Sequence, residues 1–144
     1  MVYDNEMILE MTATSKNESF ARVTVAAFVS QLDPTVSDIA DIKTAVSEAV
    51  TNAIIHGYGE NPRHGSVKLK CAIQGNTVYI EVSDTGAGIE DIKQAMVPLY
   101  TSKPDLERSG MGFTVMETFM DSVEVISTPL EGTLVKMQKV IRSH

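Results

Sequence analysis

The sequence predicts an α/β (α+β) two-layer sandwich, a mixed, mainly antiparallel sheet with helices covering one face. Three observations carry this expectation. Two long helical segments come before two pairs of alternating strands. Each of those pairs is joined by a short glycine-containing turn, which makes its pairing antiparallel. The strands alternate apolar and polar residues, so one face alone demands a helix layer. At 144 residues the chain suits one domain, expected to span 1–144. No repeat, low-complexity tract or linker interrupts it.

Met7 to Ala13 is a short apolar run and reads as the first strand. Ser15-x-x-Glu18 has the form of a capping box, opening a helix expected to reach Leu32. Its apolar residues cover a wide arc: Phe20, Val23 and Ala27 on one side, Ala21, Val25, Phe28 and Leu32 on the next. Such a helix is expected to be buried on more than one side. Asp33-Pro34 stops it. Thr35-x-x-Asp38 resembles a second cap, and Ile39, Ile42, Val46, Ala49 and Ala53 then recur at helical spacing to about Ile55. Gly57 is expected to end that helix. Gly57 to Gly65 reads as a loop.

Two strands follow, Ser66 to Gln74 and Thr77 to Asp84, joined by a Gly75-Asn76 turn. Val67, Leu69, Cys71 and Ile73 share one face of the first, and Val78, Ile80 and Val82 one face of the second. A short helix is expected from Glu90 to Met96. Pro98 to Ser109, with two prolines and mixed charges, reads as a mobile loop. Gly110-Met111-Gly112 opens a helix to about Met120. Strands at Ser122 to Ser127 and Thr133 to Val140 close the chain, with a turn at Glu131-Gly132 between them.

Composition excludes several classes. Nineteen Asp and Glu against twelve Lys and Arg leave a net charge of −7, which argues against a nucleic-acid grip built on counterion release. Only Lys136 to Arg142 is locally basic. No apolar run nears the length of a spanning helix, and Met1 to Glu6 lacks the basic and apolar regions of a signal peptide. A lone Cys71 cannot form an internal disulfide, which fits a reducing, cytoplasmic setting. Cys71 follows the inward alternation and is expected in the core. Met111, Met116 and Met120 read as core filling. With His56, His64 and His144, Cys71 makes no zinc spacing.

Three clusters carry chemistry. Glu48, Asn52 and His56 recur at i, i+4 and i+8 and form one stripe beside the apolar one. Asn offers a metal a side-chain oxygen, and Glu accepts a proton from a hydroxyl. A solvated polar stripe is the alternative, and His56 reads as a structural hydrogen-bonder. Asp84-Thr85-Gly86-Ala87-Gly88 follows a strand whose alternation turns Asp84 to the apolar face. A buried acid needs a partner, such as the amino group of a purine, and the glycines allow close approach of a flat ring. An ordinary Asp-x-Gly turn is the alternative. Arg108-Ser109-Gly110-Met111-Gly112-Phe113 opens a helix, where exposed N–H groups suit an anion. Thr101, Ser102, Lys103, Arg108 and Ser109 before it offer hydroxyl and cationic phosphate contacts. Simple helix-start glycines are the alternative.

In this order the three clusters resemble the asparagine box and the two glycine boxes of the GHKL ATP-binding superfamily, over roughly Met7 to Val140. That superfamily includes DNA gyrase B, Hsp90, MutL and the sensor histidine kinases. The stretches from Asn17 to Arg22, Ser47 to Tyr58 and Thr101 to Phe113 resemble the anti-sigma-F factors of endospore-forming bacteria. The resemblance implies the superfamily's sandwich, also called the Bergerat fold. It implies a small serine-protein kinase that binds a sporulation sigma factor as a homodimer with ATP. The kinase inactivates an anti-anti-sigma protein by phosphorylating a serine.

The roles it implies follow position by position. Asn52 matches the holder of Mg²⁺ against the phosphates, and Glu48 the candidate general base. Asp84 matches the adenine-reading acid, shaped by Gly86 and Gly88. Gly110 and Gly112 match the phosphate turn. Arg108, with Thr101, Ser102 and Ser109, falls to the phosphates, in a lid from Pro98 to Ser109. Arg22, the one charge within the apolar arc of the first helix, is expected on a dimer or sigma-binding surface. Three alternatives stay open. One is a general-stress anti-sigma kinase. The second is an ATPase module of a larger machine, although no transducer domain or phosphoacceptor segment is visible. The third is a nucleotide-binding regulator without catalysis, which would not need Glu48.

Overall fold

The computed structural model describes residues 2–58, 65–84, 112–128 and 132–142. In chain order the elements are β1 (Asn5–Thr12), α1 (Lys16–Val29), a 3₁₀ turn (Ser30–Leu32) and α2 (Val36–Tyr58). They continue with β2 (Ser66–Gln74), β3 (Thr77–Asp84), α3 (Gly112–Phe119), β4 (Ser122–Thr128) and β5 (Gly132–Val140). The expected helix at Glu90 to Met96 and the loop at Pro98 to Ser109 lie outside the described residues.

The strands form one five-stranded sheet in the order β1-β2-β3-β5-β4. Every pairing among them is antiparallel, more uniform than the mixed sheet expected. Strict alternation makes the two faces unlike. Leu69, Cys71, Val78, Ile80, Val82, Val135 and Met137 point to one face and are buried. On the other, cross-strand partners alternate in charge: Glu10 with Lys68, Lys70 with Glu81, and Lys136 with both Glu81 and Glu124. Such exposed pairs contribute little each, but they keep that face wet. Glu6 adds a 3.5 Å ion pair to Lys70, whose ammonium lies 5.2 Å from the Tyr3 ring centre.

The helices cover the apolar face. α2 packs against α1, against α3 and onto β3, burying Ile42, Ala45, Val46, Ala49 and Val50. Each large apolar side chain removed from water this way contributes about 1.5–3 kcal/mol. No helix among the described residues is long and apolar enough to cross a membrane. Met116 and Met120 join the core, as expected.

Local signals differ in outcome. Thr35 caps α2 as expected, its Oγ1 accepting from the Asp38 N–H at 2.9 Å. Ser15 does not form the expected capping box: its backbone is already helical (φ −58°, ψ −22°) and its side chain makes no cap bond. Capping needs an extended residue before the first turn. The entry to α1 is tied instead by Asn17 Nδ2, which donates to the Thr12 carbonyl at 2.9 Å. The first helix stops at Val29 and tightens into the 3₁₀ turn, ending at Asp33 with φ 51°. Gly57 does not end the second helix, which runs on to Tyr58. The arc of α1 also divides. Ala21 and Val25 are buried, whereas Phe20 and Val23 are 55% and 58% exposed.

The β2–β3 turn holds a glycine for a backbone reason. Gly75 has φ +59°, a left-handed value, while a side chain there would meet nothing within 4 Å. Only conformation restricts the position. Its N–H donates to Asp4 Oδ2 at 2.7 Å, which ties the start of the chain to the hairpin.

Candidate functional site

A small pocket opens between α2 and the sheet. It is lined by Ala49, Asn52 and Ala53 of α2, by Val82 and Asp84 of β3, by Phe113 of α3, and by Thr133 and Val135 of β5. Its apolar walls follow from two periodicities. Ala49, Asn52 and Ala53 share a helix face at i, i+3 and i+4, while Val82 and Asp84 share a strand face at i and i+2.

Two of the pocket's polar groups are costly to bury. Asn52 is 5% exposed and Asp84 8%, the two buried polar or charged residues in the described core. The Asn52 side-chain oxygen, Oδ1, is buried without a hydrogen-bond partner. An orphaned acceptor of that kind costs about 1–3 kcal/mol. Such groups are rare in native interiors, and a ligand, ion or ordered water is among the partners that satisfy them. A hard side-chain oxygen of this type fits a divalent cation that prefers oxygen ligands. Asp84 presents a carboxylate at the end of an apolar strand face, opposite Thr133 in register. An ionised carboxylate only accepts hydrogen bonds, so it favours a ligand group rich in N–H.

Glu48 lies one turn before Asn52 on the same helix, half-buried, and does not line the pocket. His56 continues the stripe on α2, although its side chain lies outside the described ones. Gly112 is the first residue of α3, close in sequence to the pocket residue Phe113. Gly86, Gly88, Thr101, Ser102, Arg108, Ser109 and Gly110 lie outside the described residues, as do Lys103 and Met111. Arg22 is half-buried on α1. Its guanidinium Nη2 donates to Ser19 Oγ at 3.0 Å, and its Nε is buried without a partner. Arg22 does not line the pocket.

Thr133 escapes sequence reasoning. Nothing in its local pattern marks it beyond the alternation that pairs it with Val135. Only the β3–β5 register places it beside Asp84.

The family model for the histidine kinase-like ATPase domain matches residues 11–139. An anti-sigma F factor of Clostridium novyi is 63% identical over 139 residues, 96% of this chain and 96% of the relative. One from a Thermoanaerobacter species is 62% identical over 143 residues, 99% of both chains. The chain belongs to the anti-sigma F factor family of histidine kinase-like ATPase domains. Two solved structures share the fold. The RsbU and RsbW domains of a Mycobacterium tuberculosis protein match with a TM-score of 0.68 at 20% identity, covering 95% of this chain but 32% of that longer one. The catalytic domain of the histidine kinase ThkA matches with a TM-score of 0.59 at 16% identity, over 94% and 96% of the two chains. Membership in an ATPase-domain family implies that the chain binds a nucleotide.

Proposed function

We propose that the chain is an ATP-dependent anti-sigma factor that binds a sporulation sigma factor and phosphorylates a serine of its anti-anti-sigma antagonist. The observation that carries this reading is the buried, unpartnered Asn52 Oδ1 in a pocket shared with the Asp84 carboxylate. The names of relatives more than 60% identical over nearly the whole chain supply the sigma-factor side.

Asp84 accepts a hydrogen bond from the purine amino group, with Gly86 and Gly88 shaping the adenine pocket. Asn52 holds Mg²⁺, which supplies neutralisation of phosphate charge when bound. Gly110 and Gly112 give backbone N–H groups to the phosphates, Gly112 from the first position of α3. Thr101, Ser102, Arg108 and Ser109 contact the same phosphates. Glu48 takes the serine hydroxyl proton as that oxygen bonds the γ-phosphorus and ADP leaves with the broken bond's electrons. Phe20 and Val23, exposed on α1 around Arg22, form the surface for a second copy and for the sigma factor. The chain acts as one domain, in the cytoplasm, as a homodimer.

Incubation with γ-labelled ATP, Mg²⁺ and a candidate antagonist tests this. Label is expected on a serine of that antagonist. Glu48→Gln should reduce transfer by roughly 10² or more while leaving ATP binding intact. Free phosphate without labelled protein would favour an ATPase, and undiminished transfer by Glu48→Gln would remove its role as base.

A further inference from the structure

Thr133 and Asp84 are cross-strand partners on β5 and β3, so their Cβ atoms lie about 4.5–5.5 Å apart, and both line the pocket. Behind Thr133, on β4, stands its partner Ser127. Ser127 Oγ lies 2.8 Å from Thr133 Oγ1 and donates to the Gly132 carbonyl at 3.2 Å. A carbonyl oxygen can only accept, so that bond uses the single hydroxyl proton of Ser127. Either hydroxyl can donate across the 2.8 Å contact; with the Ser127 proton directed to the Gly132 carbonyl, the Thr133 proton makes it. Thr133 is left with lone pairs to offer the pocket, beside a carboxylate that also only accepts.

We infer that Ser127 is a positioning residue for base selection: by engaging the Thr133 proton it makes the wall beside Asp84 acceptor-only. This rests on the reading of the pocket as a purine-nucleotide site. Such a wall takes the amino protons of a 6-amino purine. It opposes the carbonyl oxygen of a 6-oxo purine, which meets acceptors and finds no donor. Without Ser127, the Thr133 hydroxyl is released to turn and donate, and the 6-oxo base gains a partner.

Calorimetric titration of the full chain with ATP, with inosine triphosphate and with the 6-unsubstituted purine nucleotide tests the proposal. In the wild type, ATP should bind most tightly and inosine triphosphate most weakly. Ser127→Ala should narrow the ATP-over-inosine preference by about 10-fold, chiefly through tighter inosine binding. Ser127→Thr keeps a hydroxyl and should keep the preference. A purely structural role would weaken all three nucleotides alike, and that result, or an unmoved ratio, overturns the proposal. The wild-type order needs no variant to fold. Inosine triphosphate binding as tightly as the unsubstituted nucleotide overturns the acceptor-only wall by itself. A wild type that binds none of the three removes the nucleotide reading and this inference together. ATP binding with an unchanged ratio removes the inference alone.

Discussion

Cys71 shows how burial alone dictates a residue's chemistry. It sits on the inner face of β2 with no exposed surface, and desolvation pushes its thiol from 9.0 up to about 12. The thiolate is the reactive form, so the native thiol is shielded both sterically and electrostatically. At pH 8 it should react with a disulfide reagent at least about 100-fold slower in the native chain than in urea. Comparable rates in the two states would place it outside the core. Linkage has a definite sign here. The raised folded value means the native state holds its proton where the unfolded thiol has lost it. Stability from this group is therefore complete below pH 9 and falls as pH rises from 9 toward 12.

Asn52 pulls in the other direction. Burial has not removed its polarity, and a side-chain oxygen without a partner is retained among alanines and valines. A core optimised only for stability would place an apolar residue there.

Among the elements, α3 is fastened at the end remote from its opening glycine. Lys139 of β5 donates from Nζ to the Phe119 carbonyl at 2.9 Å and lies 3.8 Å from Asp41 of α2. One cation thus closes the last turn of α3, where the helix dipole favours positive charge, and joins it to α2 and the sheet. Lys139→Met keeps the apolar stem and removes the charge. It should lower unfolding free energy by about 1–2 kcal/mol, measured by urea denaturation. No change in midpoint would mean that water replaces the ammonium without cost.

What could be read at this scale depended on how local the cause is. β2 and β3 are bounded as expected because strict alternation and a Gly-Asn turn are decided within a few residues. Thr35 is legible as a cap because it lies outside its helix, whereas Ser15 does not cap α1 because its own backbone is already helical. Gly57 does not stop α2, since a glycine's helical penalty is about 1 kcal/mol and packing of a long helix outweighs it. The site divides in the same way. Asn52 follows from helical spacing and Asp84 from strand alternation, whereas Glu48, on the same helical stripe, does not line the pocket. Thr133 and Ser127 become visible only through the pairing of three strands, β3, β5 and β4, which no local pattern encodes.

For the whole molecule, charge and surface separate two contributions to partner binding. A net charge of −7 steers a basic partner at long range, and that effect weakens with salt. Association with a sigma factor should therefore slow as ionic strength rises, and a salt-insensitive rate would exclude steering. Arg22→Glu makes the chain more acidic. If only the long-range field mattered, it would speed association. As a contact residue it should instead speed dissociation by about 10-fold or more, read by stopped flow or surface binding. Unchanged dissociation and unchanged dimer mass would remove α1 from both interfaces.

The register of the sheet also bears on how the chain is made. β1 is synthesised before its neighbour β2, with Asn5 opposite Ile73. Two helices are interposed between them. At roughly 5–20 residues per second, Met7, Leu9 and Met11 wait on the order of 3–14 s on the ribosome before a strand exists to pair with them. The β2–β3 hairpin needs no such wait, because its loop closes over two residues. The nascent chain thus carries β1 as an unpaired apolar strand until β2 emerges.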